Sequence, residues 1–197
     1  MALKFHYNKT TIQQFKKQLQ IREKALPILK NKETALRVKV VELTKELESI
    51  KTLKKEKEAR LDNYKHLWGE FPDILKMKHI DYFRKKIIGV KIPEIKNIEF
   101  KIADVSWWNM PAWIPGGIAI LKEAISLKLK EDILKQQVSI LDLARKKTTQ
   151  KVNLYEKVQI PEYEDAILKI KRFMEDKDNI SKAAQKIVKN RKRDQAA

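Results

Sequence analysis

Stepping from Ile12 by alternating threes and fours, the chain reads Ile12, Phe15, Leu19, Arg22, Leu26, Leu29, Glu33, Leu36, Val40, Leu43, Leu47, Ile50, Lys54, Lys57, Leu61 and Tyr64, and twelve of these sixteen positions are apolar. A 3.5-residue repeat sustained over so many turns keeps one apolar seam facing one partner, which is the condition for a supercoiled helix pair. The repeat predicts a helix from about Asn8 to Trp68, roughly 90 Å at 1.5 Å per residue. Pro27 falls inside it. An internal proline removes a hydrogen bond at about 3 kcal/mol, so a bend is expected near residues 23 to 27.

After Gly116-Gly117 a second seam follows, less strictly: Leu127, Leu134, Val138, Leu141, Thr148, Val152, Tyr155, then Tyr163, Ile167, Ile170, Met174, Ala184 and Val188. It predicts a second long helix, with a bend over Val158, Gln159 and Ile160 where Pro161 intrudes. Neither helix can bury its stripe alone, and two helices joined by a compact insert bury each other most simply by running antiparallel. Residue i should then lie near residue 190 minus i, to within a turn or two, leaving Lys189, Arg191, Lys192 and Arg193 as an overhang.

All four glycines, all four tryptophans and four of the six prolines lie between residues 68 and 117. This punctuation divides the chain into an N-terminal helix over 1–68, an insert over 69–117, and a C-terminal helix with a basic tail over 118–197. Within the insert, Asp73 to Lys86 reads as a short helix. Ile87 to Pro93 and Ile95 to Ile102 read as two short strands, and Trp107 to Gly117, broken by Pro111 and Pro115, as a loop. The expected fold is mainly α: a long antiparallel two-helix coiled coil with a small α+β insert carrying a short β-hairpin at one end.

Composition supports an elongated molecule, since 36% of residues are charged and Gly numbers only four. Lys and Arg outnumber the acids 44 to 26, a formal charge of +18, so partner surfaces should be acidic or phosphate-bearing. With no cysteine, disulfides and thiolate chemistry are excluded. No stretch reaches signal-peptide length or the roughly 20 apolar residues of a membrane span, so a soluble, cytoplasmic chain without membrane insertion is expected.

Catalytic patterns do not emerge. The cluster Glu162, Glu164 and Asp165 reads as a solvated face, because a carboxylate pair needs an apolar pocket to shift a pKa. His6, His66 and His79 have no metal-ligand spacing, and no glycine-rich phosphate loop or nucleophile elbow is present. No cofactor, metal or bound nucleotide is expected. Trp107, Trp108, Met110 and Trp113 allow two readings, the insert's own core or an exposed anchor for a partner. The basic runs Lys51, Lys54, Lys55, Lys57, Arg60 and Lys146, Lys147, Lys151 could bind nucleic acid but more often mark the wet side of a coiled coil. A coiled-coil adaptor and a nucleic-acid-binding coiled coil stand as the alternative classes.

The segment from Lys146-Lys147-Thr148 through Lys151-Val152-Asn153-Leu154-Tyr155-Glu156 to Val158-Gln159-Ile160-Pro161 resembles the "KKT-x-RRVNALE-x-VVIP" pattern of the D subunit of the V-type/A-type rotary ATPases. Asn8-Lys9-Thr10 with Leu19, Ile28-Leu29-Lys30-Asn31-Lys32 and Leu36 is similar to that family's N-terminal pattern, and Gly89-Val90-Lys91-Ile92-Pro93 to its mid-chain "G-x-KVP". Asn8-Lys9-Thr10 stands where Pro-Thr-Arg is usual, Leu154-Tyr155 where Ala-Leu is usual, Gln150 where the first Arg is usual, and Pro27 is an intrusion.

The resemblance implies a non-catalytic central-stalk axle that transmits torque between the catalytic head and the membrane ion-translocating ring. Its implied partners are the catalytic and non-catalytic head subunits, the small F subunit of the stalk, and the funnel subunit above the ring. It implies a location in the cytoplasm, peripheral to the membrane. On this reading Lys16, Lys17, Arg22, Lys24, Thr148, Lys151, Asn153, Arg172, Lys182 and Lys186 face the head, and Trp107, Trp108, Met110 and Trp113 dock on the membrane sector.

Overall fold

The computed structural model describes residues 5–62, 65–103, 108 and 110–194; at 60, 61, 65, 66 and 194 it describes the backbone alone. The chain is mainly helical: α1 (Lys9–Asp62), α2 (Lys65–Trp68), β1 (Leu75–Ile87), β2 (Val90–Ile102), α3 (Ile114–Leu154), a π turn (Tyr155–Gln159) and α4 (Ile160–Asp194). Two compact units result, one of residues 32–147 and one of the residues up to Asn31 together with those from Thr148 on.

In the unit that joins the two chain ends, Asn8 starts α1 by accepting the Thr11 backbone N–H at 2.7 Å, which satisfies one of the orphan donors of the first turn. Ile12 then buries against Ile167 and Ile170, with Phe5, Phe15, Leu19 and Met174 around them. Edge-on contacts of Phe5 with Phe15 and of Phe15 with Tyr163 close the cluster. α1 runs through Pro27 without interruption. Glu23, whose carbonyl loses its partner there, and Pro27 itself are both exposed, which leaves solvent able to take the place of the missing bond.

Pro161 acts differently. The residues directly before it form the π turn, in which the Ile160 N–H reaches back five residues to the Tyr155 carbonyl. In an α-helix the proline ring would press on the carbonyl of Lys157, four residues back. A widened turn moves that carbonyl aside; where a bend was expected over 158–160, the structure has this π turn over 155–159.

In the unit of residues 32–147, Leu36 and Leu43 of α1 meet Leu141 of α3 and Ile92 of β2 in one buried cluster. Lys54 bonds Glu131 at 3.0 Å, and Lys57 pairs with Glu123. Within their respective units, these pairs and the contacts Arg22 with Gln159 and Lys30 with Glu156 have residue numbers summing to between 180 and 186, the antiparallel relation expected, offset by one to three turns.

The insert departs from expectation. Asp73 to Lys86 is not a helix: Leu75–Ile87 is a 13-residue strand paired antiparallel with Val90–Ile102, and the two short strands expected over 87–102 are the hairpin turn and a single second strand. Lys, Leu, Met and Arg give 73–86 a helical local bias, and β1 is so exposed that it carries no alternation; cross-strand pairing overrides the bias. The turn is made by Ile88 and Gly89, with φ of 50° and 81°, both in the left-handed region that a two-residue hairpin of mirror-image type requires. Ile88 accepts that conformation while its side chain packs on the Leu36, Leu43 and Leu141 cluster.

Lys78 and Lys96 are each an extra residue in the ladder, and the second bulge restores the register that the first displaces. Pro93 costs the ladder nothing. Its carbonyl points away from β1 and accepts Gln137 Nε2 at 2.6 Å, so its nitrogen faces outward too.

Thirteen residues of strand extend about 43 Å, and the α1 stretch from Leu36 to Asp62 about 40 Å. The hairpin can therefore join two clusters of this unit. Its turn residues Ile87, Ile88 and Val90 pack on the Leu36 cluster, and its base, with Leu75 and Ile102, packs on Ile74, Ile114 and Ile118. α3 begins at Ile114, inside the expected loop, because Pro115 sits in the first turn, where no N–H is needed. Gly117 belongs to that helix because a Cβ there would lie 3.1 Å from the Phe71 ring.

Candidate functional site

Among the described residues, no group of three or more His, Cys, Asp or Glu side chains is placed to hold a metal, and no helix is long and apolar enough to cross a membrane. What the chain presents instead is charged and aromatic surface, described unit by unit.

In the unit of the chain ends, Arg22 is a hub. Its Nε donates to Gln159 Oε1 at 2.7 Å, and its Nη1 donates to the Gln18 carbonyl and side chain at 2.9 and 2.8 Å. The guanidinium lies 4.6 Å from the Tyr163 ring centre and 5.9 Å from that of Tyr155, a cation–π arrangement. Lys16, Lys17, Lys24, Lys151, Asn153, Arg172, Lys182 and Lys186 are exposed, whereas Thr148 is buried in the seam. The two family segments come together here: Glu156 binds Lys30 at 2.6 Å, and Gln159 binds Arg22.

Beyond Met174, every described side chain of α4 from Glu175 to Arg193 is exposed, Ile180 at 71% and Ile187 and Val188 at just over half. The apolar residues Ile180, Ala184, Ile187 and Val188 recur at threes and fours, with Lys182, Lys186 and Lys189 among them. This stretch is an amphipathic helix whose apolar stripe is exposed among the described residues.

In the other unit the strongest electrostatic feature is Glu131, 6% exposed, between Lys54 of α1 at 3.0 Å and Lys135 of its own helix at 2.7 Å. The hydrogen bond from Lys135, then that from Lys54, hold its carboxyl down at about 2 against the usual 4.5, outweighing the opposing effect of burial. Lys146 and Arg145 likewise pull Asp142 below its ordinary value. Sequence reasoning passed over Glu131, although it occupies a seam position between Leu127 and Leu134.

A cleft of about 650 Å³ lies between the hairpin and the two helices, floored by residues such as Leu43, Ile92, Phe100 and Leu134 and rimmed by Lys39, Lys85, Lys96 and Lys130. On its rim Lys85 lies 3.3 Å from Glu94, while Lys39 holds Glu42, which is not among the lining residues, at 2.7 Å.

The tryptophans divide between the two readings. Trp68 and Trp113 are partly buried and stack with Phe71, and Met110 packs beside Ile114 and Ile118. Trp108 is 96% exposed. Trp107 lies outside the described residues.

Fold and surfaces together define a mainly helical antiparallel coiled-coil protein, with a laid-on β-hairpin and an exposed, amphipathic end to its C-terminal helix. The family model for the D subunit of ATP synthase matches residues 11–190. Similar proteins include the V-type ATP synthase D subunit of Borreliella burgdorferi, 29% identical over 95% of this chain and 94% of that protein. Those of Chlamydia felis and Chlamydia caviae are each 28% identical over 79% of this chain and 77% of theirs. The chain belongs to the family of ATP synthase D subunits.

Proposed function

We propose that this chain is a central-stalk rotor component of a V-type/A-type rotary ATPase, a non-catalytic axle carrying torque between the catalytic head and the membrane ion-translocating ring. Family membership supports the complex it joins. The observation that carries the axle role is the stretch Glu175–Arg193, exposed throughout: an amphipathic, cationic helix with its apolar stripe open suits being surrounded by another protein.

On this reading the head encloses the unit of the chain ends, and Lys16, Lys17, Lys24, Lys151, Asn153, Arg172, Lys182 and Lys186 meet its acidic residues through shallow, long-chain contacts. Such contacts suit a shaft that must turn without lodging in one orientation. Arg22 and Thr148 would serve indirectly, by holding the seam. The small F subunit of the stalk would bind the side of the coiled coil. Trp108, with Trp107, Met110 and Trp113, would dock on the funnel subunit, keeping the chain peripheral to the membrane.

The test is replacement of Lys16, Lys17, Lys24, Arg172, Lys182 and Lys186 by Gln in the reassembled complex. ATP hydrolysis should persist while hydrolysis-driven ion transport falls severalfold. Unchanged coupling overturns the proposed head contacts.

A further inference from the structure

We propose that the π turn Tyr155–Gln159 is a torsional joint: one residue of helix held in reserve, pinned by Arg22, that takes up small twists between the helix before Tyr155 and the helix after Gln159 while each keeps its apolar stripe on α1. Its service in a turning shaft rests on the rotor reading; the joint itself does not.

The first support is the phase of the seam. Thr148, Val152 and Tyr155 advance by four and three. Continued without interruption, that repeat would turn Ala166, Lys169 and Phe173 inward; Ala166 is buried beside Ile167, but Lys169 and Phe173 are exposed. The residues that pack on α1 come one position late, at Ile167, Ile170 and Met174. A single surplus residue therefore lies between Tyr155 and Tyr163. A coiled coil can spread such a surplus over several turns by unwinding. Here it is concentrated in five residues of wider helix.

The second support is how the turn is held. None of its five residues is buried. Pro161 bounds it on one side, since an α-helical turn there would press the ring on the Lys157 carbonyl. Arg22 contacts Gln159, Tyr155 and Tyr163 at once, and Lys30 holds Glu156. These are polar contacts that water can replace at small net cost, unlike the apolar seam on either side. Torque on α4 would then be taken up where the surplus residue sits; one residue of α-helix corresponds to about 100° of rotation.

The test uses the full-length chain with two deletions and two substitutions. Deleting Val158, which is exposed, in a chain that also carries Pro161→Ala removes the surplus residue, lets the turn become α-helical and leaves both seam segments in phase. Its melting temperature should stay within a few degrees of the parent, and amide exchange over 156–162 should slow by about tenfold or more. Deleting Lys169 instead rotates Ile170 and Met174 out of the seam and should lower the melting temperature far more. Arg22→Met should speed exchange over 156–162 by about tenfold while leaving 164–172 unchanged. A Val158 deletion as damaging as the Lys169 deletion, or an Arg22→Met chain with unaltered local exchange, overturns the joint.

These readings do not depend on the rotor assignment. In a reassembled rotary complex, a shaft lacking Val158 should show narrower angular fluctuation of an attached bead at stall, and equal fluctuation overturns its use as a joint. Failure of the parent chain to assemble with a catalytic head overturns the rotor reading alone.

Discussion

Four positions break the first apolar seam: Arg22, Glu33, Lys54 and Lys57. Each has an answer in the structure. Arg22 finds Gln159 and two tyrosines, Glu33 holds Arg37 one turn on, Lys54 meets Glu131, and Lys57 meets Glu123. Polar residues at seam positions sacrifice burial but penalise every register that would leave them unpaired. Glu131 makes the point measurable. Its carboxyl is held at about 2 when folded against an ordinary 4.5, so its contribution to stability is complete above about pH 4.5 and disappears as pH falls toward 2. Lys54 and Lys135 are shifted upward by the same contacts, so their share begins to fade only as pH rises past 10.5. Thermal melts from pH 7 to pH 2 should show a falling acid limb that Glu131→Gln flattens. A variant limb parallel to the parent's would mean that the triad contributes nothing to pH dependence. The signal was present in the sequence as Lys54 and Glu131 on seam positions, with Lys135 one turn after Glu131, but whether Lys54 faces Glu131 depends on the offset between the helices.

At the scale of elements, the helix pair was legible because a 3.5-residue repeat is a local property, visible without knowing the partner. The burial it implies is concentrated at few sites: Leu36, Leu141 and Ile170 are wholly inaccessible. Leu141→Ala should cost about 2–5 kcal/mol, whereas Leu143→Ala, two residues on and 56% exposed, should stay within about 0.5 kcal/mol in denaturant unfolding. Similar losses for the two would refute the assignment of the seam. The hairpin was only half legible. Gly89 and the alternation after it marked β2, but β1 is built from helix-favouring residues and is exposed along most of its length, so nothing local distinguishes it from a helix. Its extended form exists because β2 supplies its ladder and because the turn residues have an apolar cluster to reach.

For the molecule as a whole, a charge of +18 is a statement about partners, since so large an excess repels itself and favours acidic surroundings. The C-terminal stretch carries this furthest. Because Glu175–Arg193 is exposed throughout, truncation after Glu175 should move the melting temperature of the chain by less than about 2 °C, while hydrolysis-coupled ion transport by the reassembled complex should be lost. A large drop in melting temperature would mean that this stretch is part of the chain's own core. By itself the sequence determined the helical class, the antiparallel sense, the family and the absence of a catalytic pattern. The helical class and the catalytic pattern's absence follow from residue type and spacing over short range, the antiparallel sense from two seams joined by a compact insert, and the family from the resemblance of whole motifs. Only the tertiary structure decided the offset between the helices, the strand at 75–87, the partial burial of Trp113 against the exposure of Trp108, and the π turn before Pro161. Those outcomes depend on contacts between residues far apart in the chain, whose energies no local pattern encodes.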